Sequence, residues 1–347
     1  MSDLCRRIPP AEFATLDLTL LATPWLGTPL YLWLAFLSLV GLLLAFDLGV
    51  LHRKSEEISI RQSLVLSGGY IVIGLTFGAF VWWHIGAESG LAYLTGFVIE
   101  KTLALDNIFV IALIFSFFGI PRRYQHRALF WGILGVIVLR GIMIGAGATL
   151  VAEFHWILYL FAAFLVLTGI KMLVTEDKEP DLDKNPLVGF LRRRLNVTNE
   201  LDGDRFFVRR PLAGSGRLAL HATPLFLALV LIEAADIVFA VDSVPAIFAI
   251  TTDAFVIYTS NIFAILGLRA LYFALAAMIH RFRYLKPALA LVLVFIGSKV
   301  FVAELMGLDK FPAAVSLGVT FALIAGGVVV SLLKTRQEAK TLPTANS

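Results

Sequence analysis

The sequence predicts an all-α polytopic transmembrane helix bundle of about nine spans. Three observations lead there. Of the 347 residues, 59% are hydrophobic and only 16% charged, where soluble domains run at roughly 25% charged. The mean hydropathy is +0.86. Nine apolar runs are also long enough to cross a hydrocarbon core, at about 28–50, 64–84, 90–119, 128–151, 156–174, 222–250, 254–278, 286–304 and 312–333.

The basic residues order these runs in a membrane. Arg53, Lys54 and Arg61 separate spans 1 and 2, and Arg122, Arg123 and Arg127 separate spans 3 and 4. Nine Lys and Arg lie between spans 5 and 6, three (Arg281, Arg283, Lys286) follow span 7, and Lys334, Arg336 and Lys340 follow span 9. The alternate loops hold Lys310 and the tail residues Arg6 and Arg7, a division of 21 against 3. Positive charge stays on the cytoplasmic side, so the N-terminus is expected outside and the C-terminus inside. The pI near 9.2 then reflects orientation and asks for no nucleic-acid partner.

Residues 1–27 read as an N-terminal tail: Arg6 and Arg7 are followed by PPAEFATLD instead of the apolar core of a cleavable signal. The single cysteine, Cys5, excludes an intrachain disulfide and a thiolate-cluster metal site. Residues 28–89 hold spans 1 and 2, expected to be peripheral. The stretch 175–221 is the one sizeable polar insertion, a cytoplasmic loop with some local structure. Span 9 (305–333) and a cytoplasmic tail (334–347) complete the chain.

Between these lies an internal repeat. EKTLALDN at 100–107 aligns with DIVFAVDS at 236–243, an acid followed six residues later by an aspartate and then a small polar residue. The next span of each half carries an arginine after a leucine, Arg140 in VLRG and Arg269 in GLRA. The third carries a lysine, Lys171 in LTGIKML and Lys299 in VFIGSKVF. Spans 3 and 6 are three crossings apart and run in opposite directions. Residues 90–174 (spans 3–5) and 222–304 (spans 6–8) are therefore expected to be inverted three-helix repeats, an architecture that places a transport site near mid-membrane.

Away from the span ends, five acids fall inside predicted spans, Glu100, Asp106, Glu233, Asp236 and Asp242, and five bases accompany them, Lys101, Arg140, Lys171, Arg269 and Lys299. Each charge at the bilayer centre costs roughly 2.5–3.5 kcal/mol on insertion scales. Structural pairing is one reason to keep them. A static bundle, however, can be built without ten ionisable groups. Pro245 is expected to interrupt span 6 and to free the Val241 carbonyl beside Asp242. Asp106 and Asp242, with Asn107, Ser243 and the Val241 carbonyl, offer only oxygen ligands, which suit Mn²⁺, Mg²⁺ or Ca²⁺. Glu100 and Asp236 are placed one step along the same path. Lys101, Arg140, Arg269 and Lys299, with Lys171, are the groups available to neutralise carboxylates. Glu233, Asn261 and Asp47 are secondary candidates; Asn261 reads equally as helix–helix glue, and Asp47 as an interfacial anion beside Arg53 and Lys54. GIMIGAGA at 141–148 reads as a close-packing face. No histidine pair lies within a span to hold haem, and no GxxxxGK[ST] is present, so a gradient or the membrane potential is the expected driving force.

EKTLALDNIFV, ADIVFAVDSVPAIFAIT and TSNIFAILGLRALYF together closely resemble the TerC/Alx family of bacterial integral membrane proteins, over about residues 28–333. The long inner loop with FFVRR is similar to the Alx branch. The family is named for tellurium resistance and a supposed redox role. The resemblance implies a non-enzymatic exporter of Mn²⁺ in the cytoplasmic (inner) membrane, without a cofactor, working by alternating access. It maps the family's acidic membrane residues onto Glu100, Asp106, Asp236 and Asp242. IEAAD at 232–236 departs from the family in having two alanines before Asp236. The competing expectation is a non-transporting scaffold for envelope stress, tellurite resistance or maturation of exported proteins, with membrane or exported-protein partners. A membrane redox enzyme is disfavoured by the lack of intramembrane Cys and His.

Overall fold

The structure, a computed structural model, describes residues 21–51, 60–154, 156–175, 186–211, 218–275, 285–308 and 311–341. The side chains of 48–51, 60, 105, 106, 285 and 335–341 lie outside that description. So do residues 1–20 of the expected tail, together with Arg53, Lys54, Arg281, Arg283 and Lys310. The chain divides into two units, Met1–Lys54 and Ser55–Ser347.

In the first unit a two-residue turn, Leu26–Gly27, joins β1 (Pro24–Trp25) to β2 (Thr28–Pro29). Both turn residues have positive φ, 51° and 82°, the geometry that matches strand twist and that glycine adopts without strain. The Trp33 indole donates to the Trp25 carbonyl at 3.0 Å and meets the Trp25 ring edge-on, which ties the hairpin to α1 (Leu30–Leu51).

The second unit is a helix bundle. Its helices are α2 (Ile60–His84), α3 (Ala87–Phe117), α4 (Arg122–Glu153), α5 (Ile157–Val174), α6 (Pro186–Arg194), α7 (Pro224–Phe248), α8 (Ala254–Leu266), α9 (Leu268–Leu275), α10 (Leu285–Leu305) and α11 (Ala313–Thr341). A hairpin of β3 (Phe207–Pro211) and β4 (Leu218–Ala222) lies between α6 and α7, so the polar insertion carries local structure. Eight helical segments among the described residues are long and apolar enough to cross a membrane. α3, 31 residues long, is not one of the eight and carries Glu88, Glu100, Lys101 and Asp106.

Local chemistry sets several boundaries. α3 ends where Gly119 takes φ 60° and the amides of Phe118, Gly119 and Ile120 turn back to carbonyls of the last turn. That is a glycine C-terminal stop, and Pro121 then opens α4. Asp253 caps α8 by accepting from the amides of Phe255 and Val256 at 2.9 and 3.2 Å. α8 is enclosed on nearly every side, with Thr259, Ser260 and Asn261 at 0% exposure, as befits a central helix. α3, α2 and α4 pack on it.

Two departures from the sequence expectation concern continuity. The run 254–278 is not one helix: it breaks at Gly267 into α8 and α9. The run 222–250, expected to open at Pro245, is continuous to Phe248, with the proline in its last turns. A proline removes one amide donor near a helix end, where few bonds remain to lose. At Gly267 the Lys101 side chain passes within 2.9 Å of where a Cβ would sit. Its ammonium donates to the Ala264 carbonyl at 2.9 Å, an acceptor beside the break.

The tightest helix contact is α5 against α10, and it is reciprocal. A Cβ on Gly169 would stand 2.7 Å from the Ala290 carbonyl oxygen, and one on Gly297 would stand 2.5 Å from that of Ala162. Both glycines lie two residues before the paired lysines, Lys171 and Lys299. α3 likewise packs on α8 as α7 packs on α4. In GIMIGAGA, Gly141 lies against Tyr258 and Gly147 against Phe248, while Gly145 is open.

A methyl group at Gly297 has to displace backbone, so Gly297→Ala is expected to lower stability by about 1–3 kcal/mol. Gly145→Ala is expected to be neutral. Thermal unfolding of the two variants in detergent checks the contrast.

Candidate functional site

The centre of the bundle holds a closed polar cluster built on Arg140 of α4, which is 1% exposed. Its Nη1 meets Glu100 Oε1 of α3 at 2.8 Å. Nε and Nη2 grip both oxygens of Asp236 on α7, at 3.3 and 3.2 Å. Nη1 also donates to Ser243 Oγ of α7 at 2.8 Å and to Asn261 Oδ1 of α8 at 3.1 Å. Asn261 Nδ2 donates back to Glu100 Oε2 at 3.1 Å, and Ser243 lies close to Glu100. All five side chains are buried. The fork of guanidinium donors suits this bidentate, multi-acceptor arrangement where an ammonium would not.

The helical repeat explains which acids meet. Residues six apart on one helix lie about 120° apart in rotation and some 9 Å apart along the axis. The face of α7 that brings Asp236 to Arg140 therefore turns Asp242 elsewhere. Asp242 is partly exposed and bonded to Thr168 of α5, with Lys171 beside it. The Asp106 side chain lies outside the described residues. Among the described side chains, the carboxylates that converge are Glu100 of α3 and Asp236 of α7, which were expected one step away from a central Asp106–Asp242 pair. The Val241 side chain is 47% exposed; α7 continues past it to Phe248, while Pro245 has no amide to donate to the Val241 carbonyl.

The remaining candidates separate. Lys101 is held by the Ala264 carbonyl. Lys299 is buried and donates to Ser316 Oγ of α11 at 2.8 Å; among the described residues its ammonium meets no carboxylate. Arg269 is buried on α9. Asp47 is buried near the end of α1 in the first unit. Glu233 lies on α7 with its carboxyl over Gly132 and Gly135 of α4.

Beside the Arg140 cluster is a cavity of about 30 Å³, lined by Asn107, Asp236, Arg269, Gly132 and apolar side chains. A water needs about 10–15 Å³ on this scale, so the space admits water or one ion. Asn107 is 7% exposed, and its Oδ1 has no hydrogen-bond partner. Among the described residues no group of three or more His, Cys, Asp and Glu stands ready to hold a metal. The glycines that admit Lys101 and Glu233, the Ala264 carbonyl, Thr168 and Ser316 were not legible as site residues. The single available signal was the glycine before the arginine in GLR, at 267–269.

Long apolar helices around buried charge define a polytopic integral membrane protein. The family described as "Integral membrane protein TerC family" matches residues 85–339. The chain belongs to this family. It is 49% identical over 302 residues to an uncharacterized membrane protein of Rickettsia bellii, covering 87% of this chain and 97% of that protein. It is 47% identical over 313 residues to the uncharacterized membrane protein STKORF319 of Myxococcus xanthus, covering 90% and 95%. It is 45% identical over 314 residues to the Escherichia coli protein named "Putative membrane-bound redox modulator Alx", covering 88% and 95%. No solved structure matches the chain.

Removing Arg140 leaves two buried carboxylates without their counter-charge. Arg140→Met is expected to cost about 3–5 kcal/mol. Glu100→Gln/Arg140→Met/Asp236→Asn is expected to regain most of it, because no buried charge is then orphaned. The two melting temperatures in detergent test the pair.

Proposed function

We propose that the protein exports a divalent cation, Mn²⁺ above others, by alternating access between two inverted three-span repeats, α3–α5 and α7–α10, with α8 and α9 together forming one span. α3 is then the ninth crossing, and the N-terminus lies outside the cytoplasmic membrane. One observation carries the reading. The first acid of each repeated motif, Glu100 and Asp236, comes from a different half of the bundle, and both reach the same buried point. The reciprocal packing of Gly169 and Gly297 supports the two-fold relation that such a mechanism needs.

The charge at that point favours a divalent ligand. Two ionised carboxylates around one guanidinium sum to −1. The same carboxylates around a divalent cation sum to zero, which a dry site prefers. Arg140 acts as a tethered counter-ion. A cation that takes Glu100 and Asp236 displaces the guanidinium, and the guanidinium returns when the cation leaves. Ser243, Asn261 and the unpartnered Asn107 Oδ1 extend an all-oxygen shell, which suits a hard or borderline divalent ion. Asp242, with Lys171 and Thr168, serves as a second station toward α5, and Asp106 is assigned the matching role in the other half.

The scaffold reading accounts for the Arg140 cluster as a structural clamp but leaves the adjoining cavity and the unpartnered Asn107 oxygen unexplained. A thiol-based redox role has one cysteine, Cys5, to work with, and one thiol cannot form an intrachain disulfide.

Everted membrane vesicles containing the protein are expected to accumulate Mn²⁺. Asp236→Asn and Glu100→Gln are each expected to abolish that uptake, and Asp242→Asn to slow it, at wild-type levels of inserted protein. Uptake by Asp236→Asn equal to wild type would remove the central site from the pathway. Vesicles of wild-type protein that take up no Mn²⁺ would end the transport reading.

A further inference from the structure

Glu233 is the carboxyl group that the Arg140 cluster does not use. It precedes Asp236 by three residues on α7 and lies flat against α4. A Cβ on Gly135 would overlap both of its oxygens, and one on Gly132 would stand 3.9 Å from Oε1. These two glycines, nearly one helical turn apart, form the notch that receives it. Within the notch Oε2 is sealed from solvent and has no hydrogen-bond partner. The charged group that acts on it is another acid, Asp236.

Among the described residues, the bases of α3, α4, α5 and α10 nearest to it are engaged elsewhere. On α4, Arg140 is taken up by Glu100, Asp236, Ser243 and Asn261. On α3, Glu100 is bound to Arg140 and Lys101 to the Ala264 carbonyl, and the Asp106 side chain lies outside the described residues. Lys171 of α5 stands by Asp242, and Lys299 of α10 is bonded to Ser316. α6 carries its charge as Arg192, Arg193 and Arg194 in its last turn. Among the described residues no base forms an ion pair with Glu233.

An ionised carboxylate in that notch would give up hydration at one oxygen, receive no donor in return, and face a second carboxylate. A proton on Glu233 removes both penalties. We propose that Glu233 carries the proton that this protein exchanges for its cation, making it a proton–divalent cation antiporter. The inference rests on the transport reading above and adds the coupling ion to it. As the cation approaches Asp236 from the cytoplasmic side, the Glu233 O–H bond breaks. Its electron pair stays on the carboxylate, and the proton leaves to cytoplasmic water. After the cation departs on the far side, a proton from that side re-forms the O–H bond. This group therefore carries one proton inward for each cation moved outward, with no oxidation or reduction.

The test uses full-length protein in proteoliposomes with a Mn²⁺-sensitive dye inside. An acidic lumen is expected to drive wild-type Mn²⁺ accumulation above the external concentration, and the pH gradient is expected to lose its effect on flux in Glu233→Gln. Wild-type flux that follows the Mn²⁺ gradient but ignores the pH gradient overturns the proton assignment while leaving transport standing. Full pH-driven accumulation by Glu233→Gln overturns the choice of residue. Absence of wild-type flux under any gradient overturns the transport reading and this inference with it. Infrared difference spectra of the wild type need no variant. Mn²⁺ is expected to abolish the carbonyl band of a protonated carboxyl group, and spectra without that loss overturn the proposal.

Discussion

The bidentate grip of Arg140 on Asp236, with Glu100 on its other side, is the interaction around which the second unit is organised. A guanidinium and two carboxylates can be kept away from water only if each donor and acceptor finds a partner. That requirement places Ser243 and Asn261 where they are and draws α3, α4, α7 and α8 to one point. It also explains why α8, the helix that supplies Asn261, is the most enclosed in the bundle. Its neighbours exclude solvent from the cluster, while α2 and α11 present apolar side chains outward. Coulombic attraction in a dry interior is large only while that exclusion holds.

The same economy governs the other buried charges. Lys101 uses a carbonyl beside the break at Gly267, so one irregularity in the backbone satisfies one ammonium. Lys299 uses a serine hydroxyl on α11. Among the described residues these acids and bases are therefore not matched one to one, although the formal charges of the ten cancel. One base serves two acids, two lysines are held by neutral oxygens, and Glu233 rests on bare backbone. Unequal pairing of this kind leaves particular carboxyl oxygens available to a ligand or a proton, which a fully paired bundle would not.

Much of this fold was legible in the sequence. Apolar length gave the helices, and the glycine and proline in FFGIP gave the turn between α3 and α4. Composition also marked nearly every member of the cluster: Glu100, Arg140, Asp236, Ser243 and Asn261 are polar groups in apolar runs, where they are costly enough to notice. Which of them meet was not legible. The reading favoured Asp106 with Asp242 because both stand beside small polar residues and one precedes a proline. Pro245, however, lies too near the end of α7 to open it. The interruption lies at Gly267, against which the Lys101 ammonium and the Tyr70 side chain pack closely, contacts that local sequence does not carry.

By itself, then, the sequence determined that the chain is a membrane helix bundle, that a short acidic motif recurs in it, and which polar groups stand out in apolar runs. Those properties follow from residue type and spacing along one strand of chain. The tertiary structure decided the partnerships: Arg140 with Glu100 and Asp236, Asp242 with Thr168 and Lys171, and Glu233 alone in a glycine notch. The reason is rotational. Two acids six residues apart face about 120° away from each other on an ideal helix, and the helix that each one faces is set by packing between segments far apart in sequence.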